Sequence, residues 1–280
     1  MGDVRWTTGR VESAGEEIYY EVTTPDEFRH TIVLGHGAGG SHAVWYQQVP
    51  VLARAHRIVT WDTRGFGLST CRTNTLDGDI AAQDLVAVLE AVGAPEPVHL
   101  VGQSMGGWWL SAFAFRTPER IRSLTYTSTA GGLFTDALDE HFRTTLRSGV
   151  RPEPVVGGHF ATGPRLTREN PAHAFLYQQL NTFHEPPMAL VAPATSRRYD
   201  LDAFSGLGIP TLFIGSSDDA LFPAALLRDV AERVGARYEF IEGAGHSPYF
   251  EQPDDWNRVY LQFLATVDEQ GASREQGGRT

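Results

Sequence analysis

Short apolar runs recur along the chain with polar or glycine-rich punctuation between them. The segment 10–24, RVESAGEEIYYEVTT, alternates in polarity around a glycine and predicts an opening hairpin. TIVLGH (31–36), HRIVTWD (56–62), PVHLVG (97–102) and IRSLTYTS (121–128) are continuous apolar runs of strand length. Between them lie helix-like stretches such as DIAAQDLVAVLEAVG (79–93) and GWWLSAFAFRTPER (107–120). Pro118 predicts that the second of these ends near Thr117, because a residue before proline is pushed out of the helical region. Strands buried on both faces and alternating with helices predict an α/β architecture with a mostly parallel sheet.

The rhythm breaks between about 131 and 202. GGLFTDALDEHFRTTLRSG and ENPAHAFLYQQLNTF look helical, and the Gly/Pro-rich RPEPVVGGHFATGPRL separates them without a clear strand. The pattern then resumes in IPTLFIGSS (209–217), PAALLRDVAERVG (223–235), ARYEFIEG (236–243) and PDDWNRVYLQFLATV (253–267). The expected organisation is a core of 1–130 and 203–268, a helical cap insertion over 131–202, and a flexible polar tail over 269–280. Apolar side chains near the expected sheet edge and cap, Phe142, Phe160 and Phe183 among them, supply surfaces for a pocket.

Composition narrows the classes of function. With 34 acidic against 23 basic residues and a formal charge of -11, a phosphate-tracking surface is disfavoured, so neither nucleic acid nor an anionic membrane is an expected partner. A single cysteine rules out an intrachain disulfide framework and any multi-cysteine metal cluster, and fits a reducing compartment. No basic segment followed by an apolar stretch opens the chain, and no apolar run approaches the length of about 18 residues that a membrane span needs. The cytoplasm is the expected compartment.

Gly102-Gln103-Ser104-Met105-Gly106 is a GxSxG sequence at a predicted strand-to-helix junction. Such a turn lifts a serine hydroxyl above the sheet, small flanking residues let the backbone close, and the next amide, that of Met105, lies where an oxyanion would form. A second glycine-rich turn, Gly35-His36-Gly37-Ala38-Gly39-Gly40, follows the 31–36 strand and offers a further amide, from Ala38 or from the adjacent Gly39. A serine hydroxyl needs a base. Of ten histidines, His246 is best placed, in GAGHS after the last predicted strand; His36 would shape the first glycine loop, and His99 lies inside a strand. The orienting acid should lie beyond the strand 209–217, where both Asp218 and Asp219 qualify; counting back from Pro223 favours Asp219 and counting forward from Gly215 favours Asp218. His36 and His42 lack a third ligand at a persuasive spacing, and neither a dinucleotide fingerprint nor a P-loop stands in a usable context. No metal and no organic cofactor are therefore expected.

HGAGGSHAVW, WDTRGFGLST, VGQSMGG, the DALFP region and GAGHSPYFEQP occur in the order found in the α/β-hydrolase fold superfamily, in its esterase, lactonase, non-haem peroxidase and carbon-carbon hydrolase branches. The chain resembles that superfamily over about 17–130 and 207–267. The resemblance implies a mostly parallel eight-stranded sheet flanked by helices, with a helical cap. It also implies Ser104 as nucleophile, His246 as base, Asp219 as acid, and the Ala38 and Met105 amides as oxyanion hole, with Asp62 and Arg64 architectural. Serine at position 104 speaks against the dehalogenase and epoxide hydrolase branches, whose nucleophile is an aspartate. Trp45, Trp108, Phe134 and Phe222 are the expected pocket residues. The expected activity is hydrolysis of a small to medium hydrophobic ester, lactone or related carbonyl substrate. Alternatives are carbon-carbon hydrolysis of the meta-cleavage type, weakened by Ser247 where those enzymes often carry tryptophan, a cofactor-free perhydrolase or haloperoxidase, and a noncatalytic small-molecule receptor. A homodimer is one expectation for the assembly.

Overall fold

The computed structural model describes residues 4–149, 155–182 and 188–277. Its frame is one eight-stranded sheet in the order β1-β2-β4-β3-β5-β6-β7-β8. β1 (Val4–Ser13) and β2 (Glu16–Pro25) are the expected hairpin, and they are followed by β3 (Thr31–Gly35), β4 (Arg57–Trp61), β5 (Val98–Gln103), β6 (Ile121–Thr127), β7 (Thr211–Ser216) and β8 (Arg237–Ile241). β2 runs antiparallel to β1 and β4, and every other neighbouring pair is parallel.

The continuous apolar strands are explained by burial on both faces. Along β3, Ile32 and Leu34 enter one core while Val33 enters the other; on β7, Leu212 and Ile214 oppose Phe213 in the same way. The helices are α1 (Val49–Leu52), α2 (Gly78–Ala91), α3 (Gly106–Arg116), α4 (Asp136–Ser148), α5 (Pro164–Glu169), α6 (Pro171–Leu180), α7 (Val191–Ala194), α8 (Leu201–Ser205), α9 (Ala224–Arg233), α10 (Pro248–Glu251) and α11 (Pro253–Gly277). Leu85 and Val88 of α2, Trp109 and Phe113 of α3, and Leu227 and Val230 of α9 fill the first core. Trp256, Val259, Tyr260 and Phe263 of α11 fill the second. Among the described residues, no helix is long and apolar enough to cross a membrane.

Local signals set the helix ends. The Asp77 side chain accepts from the Ile80 amide and caps α2, a contact worth about 1 kcal/mol. α3 stops at Thr117, directly before Pro118, as the steric argument requires. Between β6 and β7 the described residues form a helical cap, α4 to α8, with no strand among them. Thr135 caps the start of α4 and Gly149, at φ 71°, ends it; Asn170 closes α5 and caps α6 through its side chain.

α11 runs on into the segment expected to be a flexible tail, as far as Gly277.

Candidate active site

Ser104 occupies the turn from β5 into α3 with φ 51°, the left-handed region that a non-glycine residue enters only under strain. Its amide donates to the Thr127 carbonyl at 3.1 Å, and its carbonyl accepts from the Gly107 amide at 2.9 Å, so both sides of the strained residue are anchored. The flanking glycines are sterically required. A Cβ on Gly102 would lie 2.6 Å from the Gly106 carbonyl oxygen, and one on Gly106 would lie 2.9 Å from that of His36. Neither position accepts a side chain without moving backbone.

His246, on the loop between β8 and α10, places Nε2 2.8 Å from Ser104 Oγ. Its Nδ1 lies 2.9 Å from Asp219 Oδ2 and 3.1 Å from Oδ1. With the carboxylate accepting, Nδ1 carries the proton and Nε2 is left to accept the Ser104 hydroxyl proton. Asp219 Oδ1 also accepts from the Leu221 and Phe222 amides at 2.9 and 3.0 Å. Asp218, the alternative acid, is exposed, and its backbone amide pairs with the Ala244 carbonyl. Ser104, His246 and Asp219 form a Ser-His-Asp triad at the C-terminal edge of the sheet.

The histidine loop is held by residues that the sequence did not single out. Gln103 Nε2 donates to the His246 carbonyl at 3.0 Å. Glu251 accepts from the Gly245 and Ser247 amides on either side of His246, at 3.0 and 3.2 Å, and from the Gly163 amide of the cap at 2.8 Å. Burial pushes the Glu251 carboxyl up to about 7, against those three amides, which favour the ionised form. The Tyr177 hydroxyl of α6 and Ser247 Oγ add a second link from cap to loop at 2.7 Å. Glu251 does stand in the GAGHSPYFEQP segment, but nothing in the pattern marks a glutamate there as buried.

His36 is outside the triad. Its Nδ1 donates to the Gly37 carbonyl at 2.7 Å and its Nε2 accepts from the Thr63 amide at 3.0 Å, which shapes the first glycine loop. Asp62 secures the same loop by accepting from the His42 amide and ring, at 2.6 and 2.9 Å, and from Leu68 at 2.8 Å. Burial opposes the charges of this pair, yet mutual contact outweighs it, raising the pKa of His42 and lowering that of Asp62. Arg64 makes a bidentate pair with Asp84 at 2.6 and 2.9 Å.

A cavity of about 360 Å³ opens over Ser104, near the low end of small-ligand sites. Ala38, Met105, Trp108 and Phe222 line it from the core, and Phe142, Leu146, Phe160 and Val191 line it from the cap. Its described lining carries no charged side chain, and Thr145 and Thr195 are among its few polar members. A larger groove of about 1020 Å³ beside Val4, Trp6, Thr23 and Arg54 contains no part of the triad. Gly39, the alternative amide donor, sits in the glycine loop at φ 81° and is not on the cavity lining.

The two adjacent tryptophans separate. Trp108 faces the cavity, its indole N-H fixed to the Arg197 carbonyl at 2.9 Å. Trp109 turns to the sheet, edge-on to Trp61 at 5.4 Å, where its ring occupies the space that a Cβ on Gly35 would need. Two of the expected pocket residues lie elsewhere. Trp45, on the turn His42–Trp45, points into the opposite core against Tyr249 and Trp256, at 4.5 and 5.8 Å between rings. Phe134 stands behind the wall, packed on Trp108, Phe142 and Phe222 and covered by the Arg198 guanidinium at 4.2 Å. Phe183 lies outside the described residues.

Sheet order, strained elbow and triad together define an α/β hydrolase with a serine nucleophile. Residues 32–259 match the Alpha/beta hydrolase family, and the chain belongs to it. A protein of Azorhizobium caulinodans named "Putative carbamate hydrolase RutD" is 29% identical, over 90% of this chain and 97% of its own length. Among solved structures, a thermophilic esterase from Thermogutta terrifontis superposes with a TM-score of 0.76 at 23% identity, over 93% of this chain and 99% of its own. The enol-lactonase from Burkholderia xenovorans LB400 gives 0.73 at 19%, over 92% and 100%.

Proposed function

We propose that the protein hydrolyses small to medium, neutral, hydrophobic carboxylic esters or lactones through an acyl-enzyme on Ser104. The observation that carries this reading is the triad serine, 2.8 Å from its base, at an apolar cavity with no charged side chain on its described lining. Among the described lining residues, a substrate carboxylate would meet no cation. His246 takes the Ser104 proton as Oγ attacks the carbonyl carbon, and imidazolium forms beside Asp219. The Ala38 and Met105 amides, at the glycine loop and at the start of α3, hold the developing oxyanion. Collapse breaks the carbon-oxygen bond to the leaving alkoxide, which His246 protonates; water, deprotonated by the same imidazole, then releases the acid and restores Ser104.

The test is labelling of purified protein with a fluorophosphonate, alongside turnover of p-nitrophenyl esters, lactones and aryl carbamates. The reading expects stoichiometric labelling at Ser104 and the highest kcat/KM on short apolar esters or lactones. The carbamate arm is included because of the similarity to the RutD protein. Absence of labelling, or ester turnover that survives Ser104→Ala, would overturn it.

A further inference from the structure

At the N-terminal ends of the central strands, on the side of the sheet away from Ser104, three histidines and one aspartate converge. His30 directly precedes β3, His56 directly precedes β4, His99 is the second residue of β5, and Asp268 projects from α11. The His30 and His99 rings are 5.4 Å apart between centroids, and the His56 ring is 6.3 and 6.4 Å from them. One ligating atom each from His30, His99 and Asp268 lies within 4.8 Å of the others, and His30 Nε2 to Asp268 Oδ1 is 3.1 Å.

Hydrogen bonding within the cluster is incomplete. His99 is fully buried, and Ser123 Oγ engages its Nδ1 at 2.7 Å, but its Nε2 has no hydrogen-bond partner. His56 Nδ1, also buried, has none either. Buried ring nitrogens without partners are uncommon and call for an explanation. When Nδ1 of His99 donates to the serine, the lone pair stands on Nε2, and a hydrogen bond on the far nitrogen is how ligating histidines are oriented.

We propose that His30, His99 and Asp268 bind a divalent transition-metal ion, zinc in the first instance, with His56 as the neighbouring imidazole able to complete a four-coordinate sphere. Imidazole and carboxylate are donors that suit Zn²⁺. A tetrahedral site with bonds of about 2.1 Å sets its donors about 3.4 Å apart, a spacing that His30 Nε2 and Asp268 Oδ1 already approach, and the His99 donor lies within 4.8 Å of both. Burial, with Arg122 and Arg29 nearby, pushes the His30 pKa down, and burial pushes those of His56 and His99 down too, which keeps the rings in the neutral form that coordinates metals. The same arginines repel a cation, so the affinity must come from the bonds of the ligand set. Side-chain exposures of 24% for His30 and 26% for Asp268 leave a path from solvent.

His99 and Ser104 are five residues apart along β5, roughly 16 Å at strand rise, so the ion acts on the junction of α11 with the sheet rather than on acyl transfer. The experiment uses the metal-stripped, tag-free full chain, titrated with ZnCl₂ by calorimetry and with Co²⁺ by visible absorption. One ion per chain, a tetrahedral cobalt band and a raised Tm are expected. His30→Ala and Asp268→Asn, both at partly exposed positions, should each weaken binding at least about 10-fold while ester turnover, the control for folding, stays unchanged. No zinc binding by the wild-type chain, or binding that both variants leave intact, would overturn the proposal.

Discussion

The Asp219 carboxylate meets the His246 ring at 2.9 Å across 27 residues of sequence, and the Leu221 and Phe222 amides fix the same carboxylate from behind. Acid and base are therefore set against each other by the backbone just after β7 and by the loop after β8, rather than by side-chain adjustment alone.

Asp219→Asn should consequently lower ester kcat by about 10⁴-fold, because an amide facing Nδ1 favours the wrong imidazole tautomer. Asp218→Asn, at an exposed position, should change it by less than about 2-fold. Steady-state kinetics on one p-nitrophenyl ester separates the two, and equal losses would contradict the observed register.

Ser104→Ala should remove at least about 10⁴-fold of kcat while leaving the fold intact. Relief of the positive φ is small for alanine, so Tm should change little. Circular dichroism measured with the kinetics checks both halves.

Leu146 is 57% exposed yet lines the cavity from the cap, so a larger side chain there narrows the site at little cost to folding. Leu146→Trp should lower kcat/KM for hexanoate esters at least about 10-fold relative to acetate, within the range that a few methylenes are worth in an apolar pocket. A uniform loss on both substrates would place Leu146 away from the acyl group.

Glu251 gives a pH dependence with a definite sign. Its folded pKa of about 7 lies above the free value of 4.5, so the fold prefers the protonated acid. This contribution is fully present below pH 4.5 and is lost as pH rises through 7, amounting to about 3 kcal/mol across that window. Glu251→Gln, which cannot ionise, should flatten the fall in stability between pH 5 and 8. Denaturant melts of both proteins across that range test it, and identical slopes would show that Glu251 does not titrate there.

Much of the frame was legible because it depends on local chemistry. Apolar strand runs, the Pro118 stop, the glycines around Ser104 and the order of GxSxG, aspartate and histidine follow from what single residues tolerate in a turn or a buried strand. That is why eight strands, a helical cap and the members of the triad could be read from residue order and from the resemblance it supports. What depended on side-chain direction could not. Trp45 was expected at the pocket and faces the opposite core; Trp108 and Trp109 are neighbours in sequence, but adjacent helical positions point about 100° apart, so one reaches the cavity and the other the sheet. Asp219, which the resemblance implied over Asp218, is the aspartate whose carboxylate meets His246.

Sequence alone determined the α/β frame and the chemical types of the triad, because backbone sterics and burial act over a few residues. Tertiary structure alone decided which of the aromatic rings wall the cavity, that Glu251 ties the histidine loop to the cap, and that His30, His99 and Asp268 stand together. Those relationships join residues tens to hundreds of positions apart, and only the packing of strands and helices brings them within reach.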